Sequence, residues 1–190
     1  NKENKKMGLL SLAIWTPVFF GVVLLALGRD DQANVVRWIA LVGAVLSLAV
    51  TIPLYTGFEL GTAAMQFVEK MPWIEKFHVN YHLGVDGISL WLILLTAFIT
   101  VIVVIAGWEV ITERVNQYMG AFLILSGLMV GVFAAVDGLL FYVFFEATLI
   151  PMYIIIGVWG GPRRVYAAFK FFLYTLLGSL LMLVALLYLY

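Results

Sequence analysis

An all-α fold, a polytopic bundle of six transmembrane helices in one membrane domain, is what this sequence predicts, and three observations predict it. Hydrophobic side chains make up 64% of the 190 residues and charged ones only 12%, against roughly half and a quarter in soluble domains. The few charges gather between long apolar stretches, and each stretch reaches the length of about 20 residues that a bilayer core requires. Unsatisfied backbone groups are too costly in lipid, so each stretch must close its own hydrogen bonds as an α-helix.

The spans fall at about 7–28, 38–58, 87–108, 115–136, 138–160 and 165–190. The first follows a tail carrying Lys2, Lys5 and Lys6. It exceeds the roughly 7–15-residue core of a signal peptide and has no small-residue cleavage site, so it is expected to stay as a helix. In the second, Pro53 has no charged neighbour and reads as a packing feature. The third opens after Asp86, a residue suited to cap it. The fourth carries Gly127 and Gly131 in a GxxxG pattern, and the sixth carries Gly178 and Ser179; both patterns favour close helix approach. The first four spans contain no charge, whereas the fifth contains Glu146 and the sixth Lys170.

Between the second and third spans, residues 59–86 form the one sizeable extramembrane loop. Met65, Phe67, Val68, Met71, Trp73, Ile74 and Phe77 interleave with Glu69, Lys70, Glu75 and Lys76, as in an amphipathic segment lying among lipid headgroups. Val79 to Leu83 then alternates toward Gly84, which suits a small hairpin. A lid or a docking surface is the expected role. Arg29, Arg37, Arg114, Arg163 and Arg164 fall on one side of the membrane, and Lys70 and Lys76 on the other. Leaving out the N-terminal tail, the excess of arginine places its loops in the cytoplasm and both termini in the periplasm.

Composition also excludes whole classes of function. Eleven basic and eleven acidic residues give a net charge of zero, so no basic face exists for nucleic acid. Without cysteine there is no disulfide, Fe–S cluster or thiolate ligand. His78 and His82 are the only histidines and lie in the loop, which removes a pair of intramembrane haem ligands and leaves no metal site expected. No phosphate-binding lysine loop, dinucleotide fingerprint or nucleophile elbow is present, so no cofactor-binding residues are expected in this chain.

Glu146 and Lys170 carry the chemistry that remains. A buried charge costs about 2.5–3.5 kcal/mol on insertion scales, so an intramembrane carboxylate points to an ion or proton path. Glu146 lies about 12 Å from the Gly138 end, near the midplane, whereas Lys170 lies about 8 Å from the cytoplasmic edge and can reach headgroups or turn inward. The alternative for Glu146 is a protonated, hydrogen-bonded contact between helices. Burial and proximity shift the acid and the amine in opposed ways, so a Glu/Lys couple linked through water makes a proton relay. Pro151, five residues after Glu146, frees the carbonyl of Ala147 and is expected to kink the helix beside the acid. Asp137 reads as an interfacial cap.

Three segments resemble a known family: LGVDGISL (Leu83 to Leu90), FYVFFEATLIPMYIIIGVWG (Phe141 to Gly160) and AAFKFFLYT (Ala167 to Thr175). They are similar in order and spacing to the antiporter-like membrane subunits of respiratory NADH:quinone oxidoreductase (complex I), specifically the chain M and subunit 4 family. The resemblance implies the first part of a roughly fourteen-helix subunit built from inverted repeats, a translocase subunit of the respiratory chain without its own redox centre. It implies that Glu146 is the fifth-helix glutamate of a proton path and Lys170 a sixth-helix lysine. The cationic partner of the glutamate would lie on a seventh helix beyond Tyr190. NADH, FMN, Fe–S clusters and quinone are then expected in partner subunits, and the other membrane and peripheral subunits of the complex are the expected partners, in a bacterial inner (plasma) membrane. A subunit of a multi-subunit sodium/proton antiporter is the alternative, because it resembles the same helices.

Overall fold

The computed structural model describes residues 8–27 and 33–189; the Lys2, Lys5, Lys6 tail and the Arg29 loop lie outside these. In chain order the elements are α1 (Leu9–Leu27), α2 (Ala33–Thr56), β1 (Gln66–Ile74), a 3-10 turn (Glu75–Phe77), β2 (Val79–Val85), α3 (Gly87–Val110), α4 (Val115–Ala134), α5 (Gly138–Trp159) and α6 (Arg164–Leu189). Six of them are helices long and apolar enough to cross a membrane. Helix α2 begins at Ala33, earlier than the uncharged stretch, and takes in Arg37. The arginine sits near the start of the helix, where its guanidinium Nη2 donates to the Ile111 carbonyl at 3.0 Å and Nη1 to Asn34 Oδ1 at 3.3 Å.

Helix α4 is the hub: 56% of its span is buried, against 6% for α6. Its most extensive partner is α1, three spans away in sequence. Glycines explain the pairing. A Cβ built on Gly21 would lie 2.7 Å from the Gly120 carbonyl oxygen, and one on Gly120 2.9 Å from that of Gly21, so the two backbones touch. Gly127 seats Ile14 and Val18 of α1, whereas Gly131 accepts the ring of Phe144 on α5, 2.7 Å from a built Cβ. The GxxxG pair therefore serves two interfaces. Among the described residues, nothing lies within 4 Å of a Cβ built on Gly178. Between α3 and α4, Thr100 Oγ1 and Ser126 Oγ share a buried hydrogen bond of 2.7 Å.

The segment read as amphipathic forms a strand. β1 pairs with β2 antiparallel, from Gln66 opposite Val85 to Ile74 opposite Val79, with irregularities after Gln66 and after Pro72. Phe67 and His78 adopt positive φ of 54° and 53°, which accommodates the first irregularity and the turn. The apolar residues could alternate as either an amphipathic helix or a strand, and the open edge of 79–85 decides for the strand. Met71, Trp73 and Phe77 remain exposed on it.

The hairpin is tied to the bundle at three places. Val136 N donates to the His82 carbonyl at 2.9 Å, adding a bridge between Leu83 and Ala135. Asn80 N donates to Asp137, whose other oxygen caps α5 through Leu139 N at 3.0 Å and Leu140 N at 3.3 Å. Glu69 accepts from Ser11 N at 2.9 Å and Ser11 Oγ at 3.0 Å, meeting one open amide at the start of α1. Asp86 caps α3 through Ser89 N at 2.8 Å and Ile88 N at 3.0 Å. The Ser89 amide, with Ile88 and the Ser89 hydroxyl, holds the Asp86 carboxyl below its ordinary value against a smaller opposing effect of burial. One apolar cluster, built on Leu10, Ile14, Leu83, Ile93 and Phe144, fills the hairpin end, and a second, built on Leu24, Ala40, Val104 and Met119, fills the opposite end.

Candidate functional site: the seam between α5 and α6

Along α5, Tyr142, Glu146, Leu149, Tyr153 and Gly157 recur at helical spacing and share one stripe. Contacts along its length show which helix that stripe faces. The Tyr153 ring lies 5.3 Å from Phe172 and 5.7 Å from Phe169 of α6. A Cβ on Gly157 would lie 3.6 Å from Ala168, and one on Gly138, at the far end, 3.6 Å from Leu186. Each step up α5 is a step down α6, so this register sets Glu146 level with Ser179.

The buried residues of α6 are Ala168 and Ser179. They stand three turns apart on one face, and α5 is the element against which α6 chiefly packs. Ser179 therefore faces the seam. Its hydroxyl donates to the Thr175 carbonyl at 2.8 Å, which commits its one proton and leaves its lone pairs open. Sequence reading took Ser179 only as a small residue; its burial among exposed neighbours is the signal that sequence alone lacks.

Glu146 sits mid-helix with its side chain partly covered. Among the described residues, two buried side-chain polar atoms have no hydrogen-bond partner, Arg37 Nε and Glu146 Oε1. An orphaned buried oxygen costs about 1–3 kcal/mol or more, so its persistence calls for a reason. Tyr142, one turn earlier on the same stripe, is the side chain that interacts with the Glu146 carboxyl.

Lys170 is placed elsewhere. It is exposed, with Nζ 5.9 Å from the ring centroid of Tyr166 one turn back toward the end of α6. Nine residues along α6 from Ser179, it stands about 14 Å from the level of Glu146, and no contact joins the two. Pro151 is buried inside a helix that runs on to Trp159. It lines, with Ala147, Ile150 and Gln117, a cleft of about 460 Å³ between α1, α4 and α5. Glu146 is not among the residues lining that cleft. His78 and His82 lie on the hairpin, and no group of three metal-ligating side chains occurs among the described residues.

Known proteins resemble this chain along most of its length. A family model described as NADH-ubiquinone oxidoreductase chain 4, amino terminus, matches residues 35–134, and one described as NADH:quinone oxidoreductase/Mrp antiporter, TM, matches residues 135–190. NADH-quinone oxidoreductase subunit M of Rhodobacter capsulatus is 49% identical over 185 residues, covering 96% of this chain and 36% of that protein. NADH-ubiquinone oxidoreductase chain 4 of Arabidopsis thaliana is 44% identical over 179 residues, covering 94% of this chain and 36% of that one. Among solved structures, a chain of respiratory complex I from Thermus thermophilus with bound NADH superposes with a TM-score of 0.75 at 35% identity, over 94% of this chain and 35% of its own length. A chain of an archaeal membrane-bound sulfane sulfur reductase shares the fold, with a TM-score of 0.68 at 22% identity and coverage of 92% and 35%. The chain thus spans about a third of the length of the relatives it matches.

Proposed function

The chain belongs to the family of NADH-quinone oxidoreductase subunit M and its chain 4 counterparts, and from that premise we propose that it forms part of a proton-translocating membrane subunit in which Glu146 carries the proton. The observation that carries this reading is the orphaned, buried Oε1 of Glu146 in the middle of α5. An intramembrane carboxyl with an open oxygen can take up or release a proton as its surroundings change.

In the proposed cycle, electron transfer from NADH to quinone takes place in other subunits, which hold the FMN and Fe–S centres. A charge change reaching this chain alters the field at Glu146, and the carboxyl gains or loses a proton to a hydrated path along the seam. Lys170, about 14 Å along α6, does not pair with Glu146 directly. Its place near the helix end suits proton exchange with the aqueous side, through water rather than a salt bridge. A cation beyond residue 190, as the family resemblance implies, is the closer counterpart. The chain lies in the bacterial inner membrane in this reading, with its arginine loops in the cytoplasm.

Glu146→Gln, placed in the full-length chain within native membranes, is expected to abolish the share of proton pumping that depends on this subunit while leaving the chain inserted. An unchanged proton-to-electron ratio would overturn the reading. The second family model also describes Mrp antiporters, and that observation keeps one other reading. Isolating the assembly in mild detergent separates them. Flavin and Fe–S companions with NADH oxidation favour the respiratory complex; small hydrophobic companions with cation/proton exchange and no such oxidation favour the antiporter.

A further inference from the structure

Within the reading of Glu146 as a proton carrier, on which the following rests, we propose that Ser179 of α6 is a positioning residue for Glu146, the acceptor that holds its protonated form, while Tyr142 is the donor that holds its ionised form. Three observations support the assignment. The α5 to α6 contacts set Ser179 level with Glu146. Ser179 is 3% exposed although α6 is otherwise largely bare. Its hydroxyl proton is committed to the Thr175 carbonyl, so only lone pairs face the seam.

Polarity then divides the work. A protonated carboxyl has one O–H to give, and an acceptor-only hydroxyl matches it, directly or through one bridging water. A carboxylate has only acceptors, and the Tyr142 phenol supplies a donor from one turn away. Oε1, which makes no hydrogen bond in this structure, is the oxygen left to carry the proton toward Ser179.

Other titratable groups stand at a distance or turn away, and Tyr153, two turns on from Glu146 along α5, has its ring against Phe169 and Phe172. Tyr118 of α4 meets Trp159 edge-on at the end of α5. Tyr81 and His82 belong to β2, at the opposite end. On α6, Tyr174 and Tyr188 are 80% and 88% exposed, and Arg164, Tyr166 and Lys170 stand in its first two turns.

The test follows the carboxyl vibration of Glu146 by infrared difference spectroscopy on the full-length chain in its native assembly, the band being the one lost in Glu146→Gln. Ser179→Ala is expected to displace that band and to move its pH midpoint by about one unit, tenfold in proton affinity, in the sense that favours the carboxylate. Tyr142→Phe is expected to move the midpoint in the opposite sense, and Ser179→Thr to restore the parent band. Ser179→Cys, which keeps the size with a weaker acceptor, gives the same reading if Ser179→Ala fails to assemble. A Ser179→Ala or Ser179→Cys band and midpoint identical to the parent, while Glu146→Gln abolishes pumping, overturns the role of Ser179 and leaves the proton-carrier reading standing. Full pumping in Glu146→Gln overturns that reading itself.

Discussion

Replacing Glu69 by alanine should release the hairpin from the start of α1, and the magnitude follows from two hydrogen bonds. Ser11 N and Ser11 Oγ donate to the carboxylate at 2.9 and 3.0 Å. Because Ser11 gives its hydroxyl proton to Glu69, Tyr81 must donate to Ser11 Oγ at 3.0 Å, and Trp15 Nε1 donates in turn to Tyr81 at 3.1 Å. The carboxylate therefore terminates a chain of donors and also stands at the positive end of a helix. Bonds to a charged group are worth about 1.5–3 kcal/mol each, and partial exposure lowers that, so about 2 kcal/mol is expected for the pair. That is roughly a 30-fold increase in local opening. Glu69→Gln keeps an acceptor without the charge and should lose about half as much, roughly fivefold in opening. Native-state hydrogen exchange on the purified assembly reads both, through the amides of β1, β2 and the first turn of α1. Unchanged protection of the hairpin in Glu69→Ala would show that the bridge to Ala135 and the contact with Asp137 hold it without help, and would refute the reasoning.

Two further outcomes are expected. Gly127→Ala places a Cβ 2.5 Å from Val18 Cγ2 and closer still to the Ile14 carbonyl, and overpacking of this kind costs about 1–3 kcal/mol; a thermal-unfolding midpoint equal to the parent's would contradict the α1 to α4 contact. Asp86 is held below its ordinary value of 3.8 by the Ser89 amide, so its stabilisation of α3 is fully present above that value and is lost as pH falls through the lower folded one; protection of the Ile88 and Ser89 amides should stay flat from neutral pH to about 4 and drop only below it, and a loss centred near pH 6 would assign the effect to another group.

The sequence alone determined the spans, the caps and the position of the acid, because each depends on a residue's own free energy in lipid or on its immediate neighbours. Sparse charge marked out six helices, Asp86 and Asp137 stood where amides needed acceptors, and Glu146 stood in the middle of an apolar run. Partners are another matter. Lipid tails are as apolar as leucine, so hydropathy does not say which face of a helix meets which neighbour. Only the tertiary structure paired α1 with α4 through Gly21, Gly120 and Gly127, and only the pairing of 66–74 with 79–85 made a strand of a segment that alternation left open. The same holds at the seam. Counting residues set Glu146 and Lys170 on consecutive helices, but the register of α5 on α6 sets Ser179 level with Glu146 and leaves Lys170 near the helix end, because the offset of two packed helices is fixed by contacts such as Tyr153 on Phe172 that no local property encodes.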